Sequence, residues 1–295
     1  MTAAGGDRII DPAAASWPGV DQPIRQPFGV IFWLCIGWLG LVVVAALCAD
    51  LLPLIDPLET DFTSTGVAPN GRYWFGTDAL GRDIFSRVIF GSRISLIIGV
   101  LVPAISLSIG LALGLIAGYY RGWIEQVILF YVNVTFAFPG LVLLLVVLAV
   151  VGADLIVLVL LFGIGGNGGA IRIARANTLT YMEREFVTAA KALGATNFRI
   201  IVYELMPNVA LPLISIAMLA VSGMIVAEGT LSFLGLSVPP PAPTWGNMIA
   251  MGLDDLNDAL WVWGFPAGTL FLTVLSLNFV GDVVRKRLDA RESKL

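Results

Sequence analysis

Four polar side chains that could take part in chemistry lie within, or at the end of, long apolar stretches of this sequence. They are Asn133, Glu228, Asn278 and Asp282. In an apolar environment a carboxylate or amide commonly lines a substrate or ion pathway, or bonds to a neighbouring subunit. We therefore treat all four as candidate pathway or subunit-interface residues. For Glu228, an isolated carboxylate, the alternative is a role in the fold itself.

No catalytic or metal-binding constellation accompanies these residues. The chain has no histidine, which removes the commonest metal ligand and the commonest general base. Glycines crowd positions 163–169, but no Lys-Ser or Lys-Thr pair follows them, so the signature of a phosphate-binding loop is missing. We expect a chain that is not an enzyme, that binds no cofactor or metal, and that does not bind ATP itself.

The composition places the chain in a membrane. Hydrophobic residues make up 58% of it and charged residues only 13%, about half of the charged share of a soluble domain. A soluble protein of 295 residues could not bury so much apolar surface in one core. The net charge of −4 also argues against a nucleic-acid partner, which would require a basic face. Membrane lipid is the expected surrounding.

Six apolar stretches predict six transmembrane helices, because each has about the 20 residues needed to cross the hydrocarbon core. They occupy positions 28–51, 94–117, 127–151, 155–174, 209–231 and 262–284. The predicted fold class is therefore an all-α integral membrane protein.

Lys and Arg residues predict the orientation of these helices. If the N-terminus is inside, the outer segments hold Arg72, Arg82, Arg87 and Arg93, and the other 13 of the 17 Lys and Arg residues fall in inner segments. This bias predicts that both termini are cytoplasmic. We expect a multi-pass protein of the plasma (inner) membrane.

A charged passage with helical character separates the fourth and fifth apolar stretches. Ala189 and Ala190 would give a helix there a nearly flat face that another protein's backbone can approach closely. Gly194 can take the left-handed conformation that ends a helix. Thr196 is a good N-cap for a second helix, and Pro207 predicts where the next apolar helix begins.

This passage resembles the coupling loop of ABC importer permeases, whose motif reads Glu-Ala-Ala, three residues, then Gly. Thr188 stands at the Glu position, and both alanines and Gly194 stand at the family spacing. Further blocks follow the order typical of C-type permease subunits of dipeptide and oligopeptide importers, within the binding-protein-dependent transport inner-membrane component family. They lie at 75–96, 232–248 and 278–291. The resemblance implies the six-helix type I (MetI-like) ABC importer permease fold.

The domain division predicted from these features has five parts. They are a flexible cytoplasmic tail at 1–27, a first transmembrane helix at 28–51, an extracytoplasmic segment at 52–93, a permease domain at 94–284 with a cytoplasmic coupling loop at 175–207, and a cytoplasmic tail at 285–295.

Two further expectations concern the outer segments. Asp83 and Arg87 stand four residues apart, which predicts an ion pair along the face of a solvated amphipathic helix. Trp245, Trp261 and Trp263 are expected to anchor the chain at the outer membrane interface.

The resemblance implies a subunit of an ATP-driven importer. Its expected partners are a second homologous permease subunit, one or two ABC ATPase subunits and an extracytoplasmic substrate-binding protein. The residues expected to dock the coupling loop to the ATPase are Thr188, Ala189, Ala190, Gly194, Thr196 and Pro207. Dipeptides or oligopeptides are the expected substrates, with glutathione, nickel and haem as alternatives within the class. A passive channel and a secondary transporter are the alternatives outside it.

Overall fold

The computed structural model describes residues 29–152, 154–253 and 259–292. The predicted N-terminal tail at 1–27 and positions 293–295 of the predicted C-terminal tail lie outside these ranges. The helices are α1 Val30–Cys48, α2 Ile84–Tyr120, α3 Gly122–Ala137, α4 Gly140–Val151, α5 Leu155–Gly165, α6 Gly168–Met182, α7 Glu185–Ala192, α8 Asn197–Arg199, α9 Met206–Phe233, α10 Trp245–Met251 and α11 Leu260–Glu292. A 3₁₀ turn, Ala49–Leu51, follows α1, and a π-helical turn, Ile200–Leu205, joins α8 to α9. The predicted all-α fold class is confirmed.

Within the described residues, five helical stretches are long and apolar enough to cross a membrane. They are Val30–Leu51, Ile84–Tyr120, Leu155–Met182, Asn197–Phe233 and Leu260–Leu288. The predicted third span, 127–151, is different, because α3 and α4 meet at an angle of 89°. Pro139 explains the break: its ring holds Phe138 in extended backbone conformation, with φ −94° and ψ 132°. The two helices give a sixth candidate span only as a bent pair, so the apolar stretch 127–151 is not one continuous helix.

Helix α2 begins at Ile84, ten residues before the predicted second span. Asp83 caps it, since its carboxylate accepts a hydrogen bond from the Ser86 amide at 2.9 Å. The helix has 37 residues, which corresponds to about 55 Å. The hydrocarbon core is about 30 Å thick. One end of α2 must therefore project well beyond the membrane.

Helices α2 and α6 approach each other closely in the core. Three glycines of α2 face small residues of α6, and a Cβ atom added at each would lie 2.3 to 2.6 Å from a Cβ atom of the other helix. The facing pairs are Gly110 with Ala170, Gly114 with Ala174, and Gly118 with Thr178. Such four-residue spacing of small side chains lets helices in a membrane pack backbone to backbone. This contact fixes α6, which leads directly into α7.

Candidate functional site

Helix α7 ends in the backbone arrangement that the sequence predicts. Gly194 has φ +77°, and its amide donates to the Lys191 carbonyl at 3.0 Å. The Ala195 amide reaches back to the Ala190 carbonyl, also at 3.0 Å. These bonds satisfy carbonyls that the end of the helix would otherwise leave free. A Cβ atom at Gly194 would meet nothing within 4 Å, so the demand for glycine comes from φ and not from space.

The short helix α8 follows at once. The Thr196 hydroxyl accepts a hydrogen bond from the Arg199 amide at 3.4 Å, so the predicted N-cap is confirmed. We call the segment 185–199, which holds α7 and α8, the hairpin.

Pro207 lies in the first turn of α9, where the sequence predicts that the next apolar helix begins. No loop precedes it, because α8, the π-helical turn and α9 form one continuous helix, Asn197–Phe233. The π-helical turn ends two residues before Pro207, whose ring and missing N–H disfavour a regular α-helical turn there. The hairpin is therefore joined to a long apolar helix without an intervening loop.

A buried valine anchors the hairpin to the rest of the chain. Val187 is 0% exposed and belongs to an apolar cluster that includes Ile200, Leu205 and Val209. Ala190 is half-buried against the same cluster, whereas Ala189 is exposed. The predicted flat face is thus divided between an inward and an outward side.

The outward side of the hairpin carries large apolar residues. Leu193 is 88% exposed and Phe198 70%, and Tyr203 in the adjoining π-helical turn is 68% exposed. Large apolar side chains that are exposed outside a membrane mark a contact site for another molecule. Sequence reasoning centred on the two alanines and missed these side chains. No pattern in the sequence marks them, because Tyr203 stands within the largely apolar run Ile200–Leu205 and Leu193 stands beside alanines and a glycine.

One polar contact joins the hairpin to α2, and another joins α6 to α3. The Tyr119 hydroxyl, at the end of α2, donates to Asn197 Oδ1 at 2.7 Å. Arg175 of α6 donates from Nε to Glu125 Oε1 of α3 at 2.6 Å. Because both contacts join residues at least 50 positions apart, no local sequence pattern predicts them.

Glu228 lies near the other end of the helix that leaves the hairpin. Its side chain is 1% exposed. Oε2 accepts a hydrogen bond from Ser95 of α2 at 3.1 Å, and Oε1 accepts one from Ser237 at 3.0 Å. In this conformation the carboxylate therefore contacts groups of its own chain.

The other three candidate residues have separate surroundings. Asn278 of α11 accepts from Ser222 of α9 at 3.1 Å and donates to the Val274 carbonyl at 2.8 Å. The remaining two, Asn133 and Asp282, are both exposed. Asn133 accepts from Arg172 of α6 at 3.1 Å. The structure does not gather the four into one site, and their pathway or interface role stays a prediction.

The charges before α2 are arranged differently from the prediction. Asp83 caps the helix, and it is Asp78 that pairs with the arginines, at 2.7 Å from Arg82 Nε and 3.8 Å from Arg87 Nε. Arg82 is 5% exposed and Arg87 1%, so they are not solvated. Arg87 also donates to the Pro57 carbonyl at 2.8 Å. The predicted Asp83–Arg87 pair is wrong, because the carboxylate within reach of Arg87 is that of Asp78, while Asp83 caps α2 through one of its oxygens.

Trp245 is not an interface anchor either. It is 0% exposed, and its indole N–H donates to the Val88 carbonyl of α2 at 3.1 Å. A buried indole needs such a partner, and Val88 supplies it from 157 residues away. Trp261 and Trp263 are half-buried.

Comparison with known proteins bears directly on this architecture. Residues 110–294 match the family described as "Binding-protein-dependent transport system inner membrane component". The glutathione transport system permease protein GsiD of Pectobacterium atrosepticum is 34% identical over 91% of this chain and 88% of its own length. The protein of the same name from Escherichia coli O157:H7 is 37% identical over 85% of this chain and 83% of its own length.

Solved structures show the same fold. An inward-facing MetNI methionine ABC transporter chain superposes with a TM-score of 0.56 at 17% identity, over 70% of this chain and 97% of that one. A chain of an amino acid ABC transporter gives 0.52 at 18%, over 69% and 94%. The chain belongs to the binding-protein-dependent transport system inner membrane component family, as a multi-pass inner-membrane permease of an ABC importer whose ATPase is a separate subunit.

Proposed function

We propose that this chain forms half of the translocation pathway of an ATP-driven importer for short peptides, including the tripeptide glutathione. A second homologous permease supplies the other half, one or two ABC ATPases bind the 185–199 hairpin, and an extracytoplasmic binding protein delivers the substrate. Both termini and the hairpin lie in the cytoplasm. The domain division given above is part of this proposal.

The hairpin is the observation that carries the proposal. Val187 fixes it to the core, Gly194 closes it, and Leu193 and Phe198 remain exposed on its outward side. Exposed apolar side chains on a rigid support suit a groove in a partner protein. The ATPase should therefore grip this surface and move it as a unit.

The continuous helix after the hairpin supports the mechanical part of the proposal. Asn197–Phe233 has 37 residues, about 55 Å in length. A helix transmits displacement along its axis, because its hydrogen bonds resist stretching. Closure of the ATPases on ATP would thus move α9 together with the hairpin and change the shape of the pathway.

The substrate class is supported by the relatives. Two of them, at 34% and 37% identity, are named for glutathione transport. Dipeptides, oligopeptides and glutathione share peptide bonds and charged termini, so one pathway could pass them all. The binding protein is expected to set the choice among them.

Affinity purification from the native membrane tests the assembly. The chain is tagged at its C-terminus, extracted in mild detergent, and its companions are identified by mass spectrometry. A second permease, one or two ATPases and a binding protein are expected. Recovery of this chain alone or as a homo-oligomer, with no ATPase even after crosslinking, would overturn the proposal and favour a channel.

The substrate is then tested with the same complex in proteoliposomes. Uptake of labelled dipeptides, oligopeptides and glutathione is measured with ATP and with a non-hydrolysable analogue. Peptide uptake that requires both ATP and the binding protein is expected. Uptake of nickel or haem, without any peptide, would move the chain to another substrate within the class.

A further inference from the structure

Helix α9 ends in a region where a non-helical segment and α10 fold back onto the core. We call residues 234–252 the distal segment. Glu228 joins it to the bundle, because one carboxylate accepts hydrogen bonds from Ser95 of α2 and from Ser237 of the distal segment. A carboxylate that is 1% exposed is unfavourable unless such partners compensate it. The residue therefore connects three parts of the chain at one point.

Further bonds repeat this pattern around Glu228. The Ser232 and Thr244 hydroxyls lie 2.8 Å apart, which ties the end of α9 to the start of α10. The Trp245 amide points to Ser95 Oγ at 3.4 Å. Inside the distal segment, Asn247 donates to the Ala242 carbonyl at 2.7 Å. The segment is thus internally bonded and bonded to both helices.

The packing beneath these bonds is close. A Cβ atom added at Gly246 would lie 2.7 Å from the Gly229 Cα atom, so the two backbones are in direct contact. Met248 of α10 is 4% exposed and packs against Ile84 and Val88 of α2. A displacement of α9 should carry the distal segment with it.

We propose that Glu228 is a positioning residue that holds the distal segment on α2 and α9, so that all three move as one body during transport. The hairpin then lies at one end of the long helix Asn197–Phe233, and this body lies at the other end. The alternative is a lid that separates from α9 in each cycle. The transport readouts below rest on the function proposed above, whereas the labelling readout does not.

A disulfide across the Ser232–Thr244 contact tests the single body. The pair Ser232→Cys and Thr244→Cys is built in a background with Cys35→Ser and Cys48→Ser, and the whole importer is reconstituted. The two hydroxyls are 2.8 Å apart, so a bond of about 2.05 Å needs little movement. Oxidised and reduced complexes are expected to take up substrate at rates within about twofold of each other. Loss of uptake on oxidation, with recovery on reduction, would overturn the proposal and establish a lid.

Substitutions of Glu228 test the residue itself. Met248→Cys, in the same cysteine-free background, reports release of α10, because a buried thiol reacts slowly with a water-soluble maleimide. We expect Glu228→Ala to raise the labelling rate by about tenfold and to lower uptake by a similar factor. Glu228→Gln keeps one acceptor and gains a donor for the serines, so it should restore protection and most uptake.

The labelling rate distinguishes a failure of the positioning role proposed for Glu228 from a failure of the proposed transport function. It needs only the chain in its native membrane complex, so it remains decisive even if no peptide uptake is found. Protection of Met248→Cys that is equal in Glu228→Ala and the parent would overturn the positioning role. Absence of ATP-driven uptake in the parent would instead count against the proposed function.

Discussion

The two ends of the long helix Asn197–Phe233 are held by different physical means. The hairpin at its start is fixed mainly by apolar packing around Val187, by backbone bonds around Gly194 and by one side-chain hydrogen bond, from Tyr119 to Asn197. The region at its other end is fixed by buried polar groups, with Glu228 contacting both Ser95 and Ser237. The two kinds of contact differ in how strictly they fix the geometry of the groups that they join. Hydrogen bonds in a low-dielectric interior demand a specific geometry, while apolar contacts are non-directional.

This contrast suits different tasks at the two ends. An end that a separate ATPase must grip needs a free surface, and Leu193 and Phe198 provide one. An end that must keep its shape needs partners that are satisfied within the chain. The Asp78 carboxylate contacts both Arg82 and Arg87, and Arg87 donates to the Pro241 carbonyl of the distal segment at 3.5 Å, so buried polar contacts continue into the segment before α2. Substitutions at one end should therefore differ in their effects from substitutions at the other.

The largest effect is expected at the polar end, from Asp78→Ala. Two arginines, 5% and 1% exposed, would lose their carboxylate, and breaking a buried pair in this way costs about 3–5 kcal/mol. The thermal midpoint of the detergent-solubilised chain should fall markedly. Asp50→Ala is the matched control, since its ion pair with Arg93 has the same 2.7 Å length but an Asp side chain that is 69% exposed. Equal midpoints for the two variants would contradict a rigid polar end.

Gly194→Val should act at the hairpin and spare the rest of the fold. At φ +77° a β-branched residue is strained by about 1–3 kcal/mol, while the open space around it avoids a clash. Membrane insertion should remain normal, and ATP-driven uptake should fall by about tenfold or more. Gly194→Asn, which tolerates the left-handed region, is the control and should keep most uptake. Substrate-stimulated uptake by the valine variant at the parent's rate would contradict the prediction.

Leu193→Ser and Phe198→Ser should leave stability nearly unchanged and weaken the hold of the ATPase. Both side chains are exposed, so the free energy of unfolding should change by no more than about 0.5 kcal/mol. The amount of ATPase that co-purifies is the measurement, and it should fall for each variant. Phe62→Ser removes a side chain that is 73% exposed, in the segment before α2, and should have no such effect. An equal loss of co-purified ATPase for all three variants would mean that the ATPase does not bind the hairpin surface specifically.

The backbone structure of the hairpin could be predicted from the sequence because the residues that determine it act locally. Gly194 and Thr196 act on residues within five positions of themselves, and their backbone preferences do not depend on the rest of the fold. The exposed Leu193 and Phe198 were overlooked for a different reason. Their exposure depends on Val187 being the residue that turns inward.

The contacts at the polar end of the helix could not be predicted from local sequence preferences. Ser95 and Glu228 are 133 positions apart, and no local preference states that α2 and α9 meet there. Trp245 was expected at an interface because tryptophan favours one, but burial against Val88 prevailed. The break between α3 and α4 was in principle visible, since Phe138 precedes Pro139. Apolar length alone suggested a continuous span.

The smallest effect is expected from Thr188→Glu, which introduces the charge found at this position in the family motif. Thr188 is exposed on α7, four residues after Arg184 and three after Glu185. The new carboxylate would be attracted by one and repelled by the other, for a net change of no more than about 0.5 kcal/mol. Uptake should stay within about twofold of the parent at both low and high salt. A tenfold gain that disappears in high salt would show that docking depends on charge. It would then be wrong to ascribe the grip on the hairpin to the shape of its apolar surface.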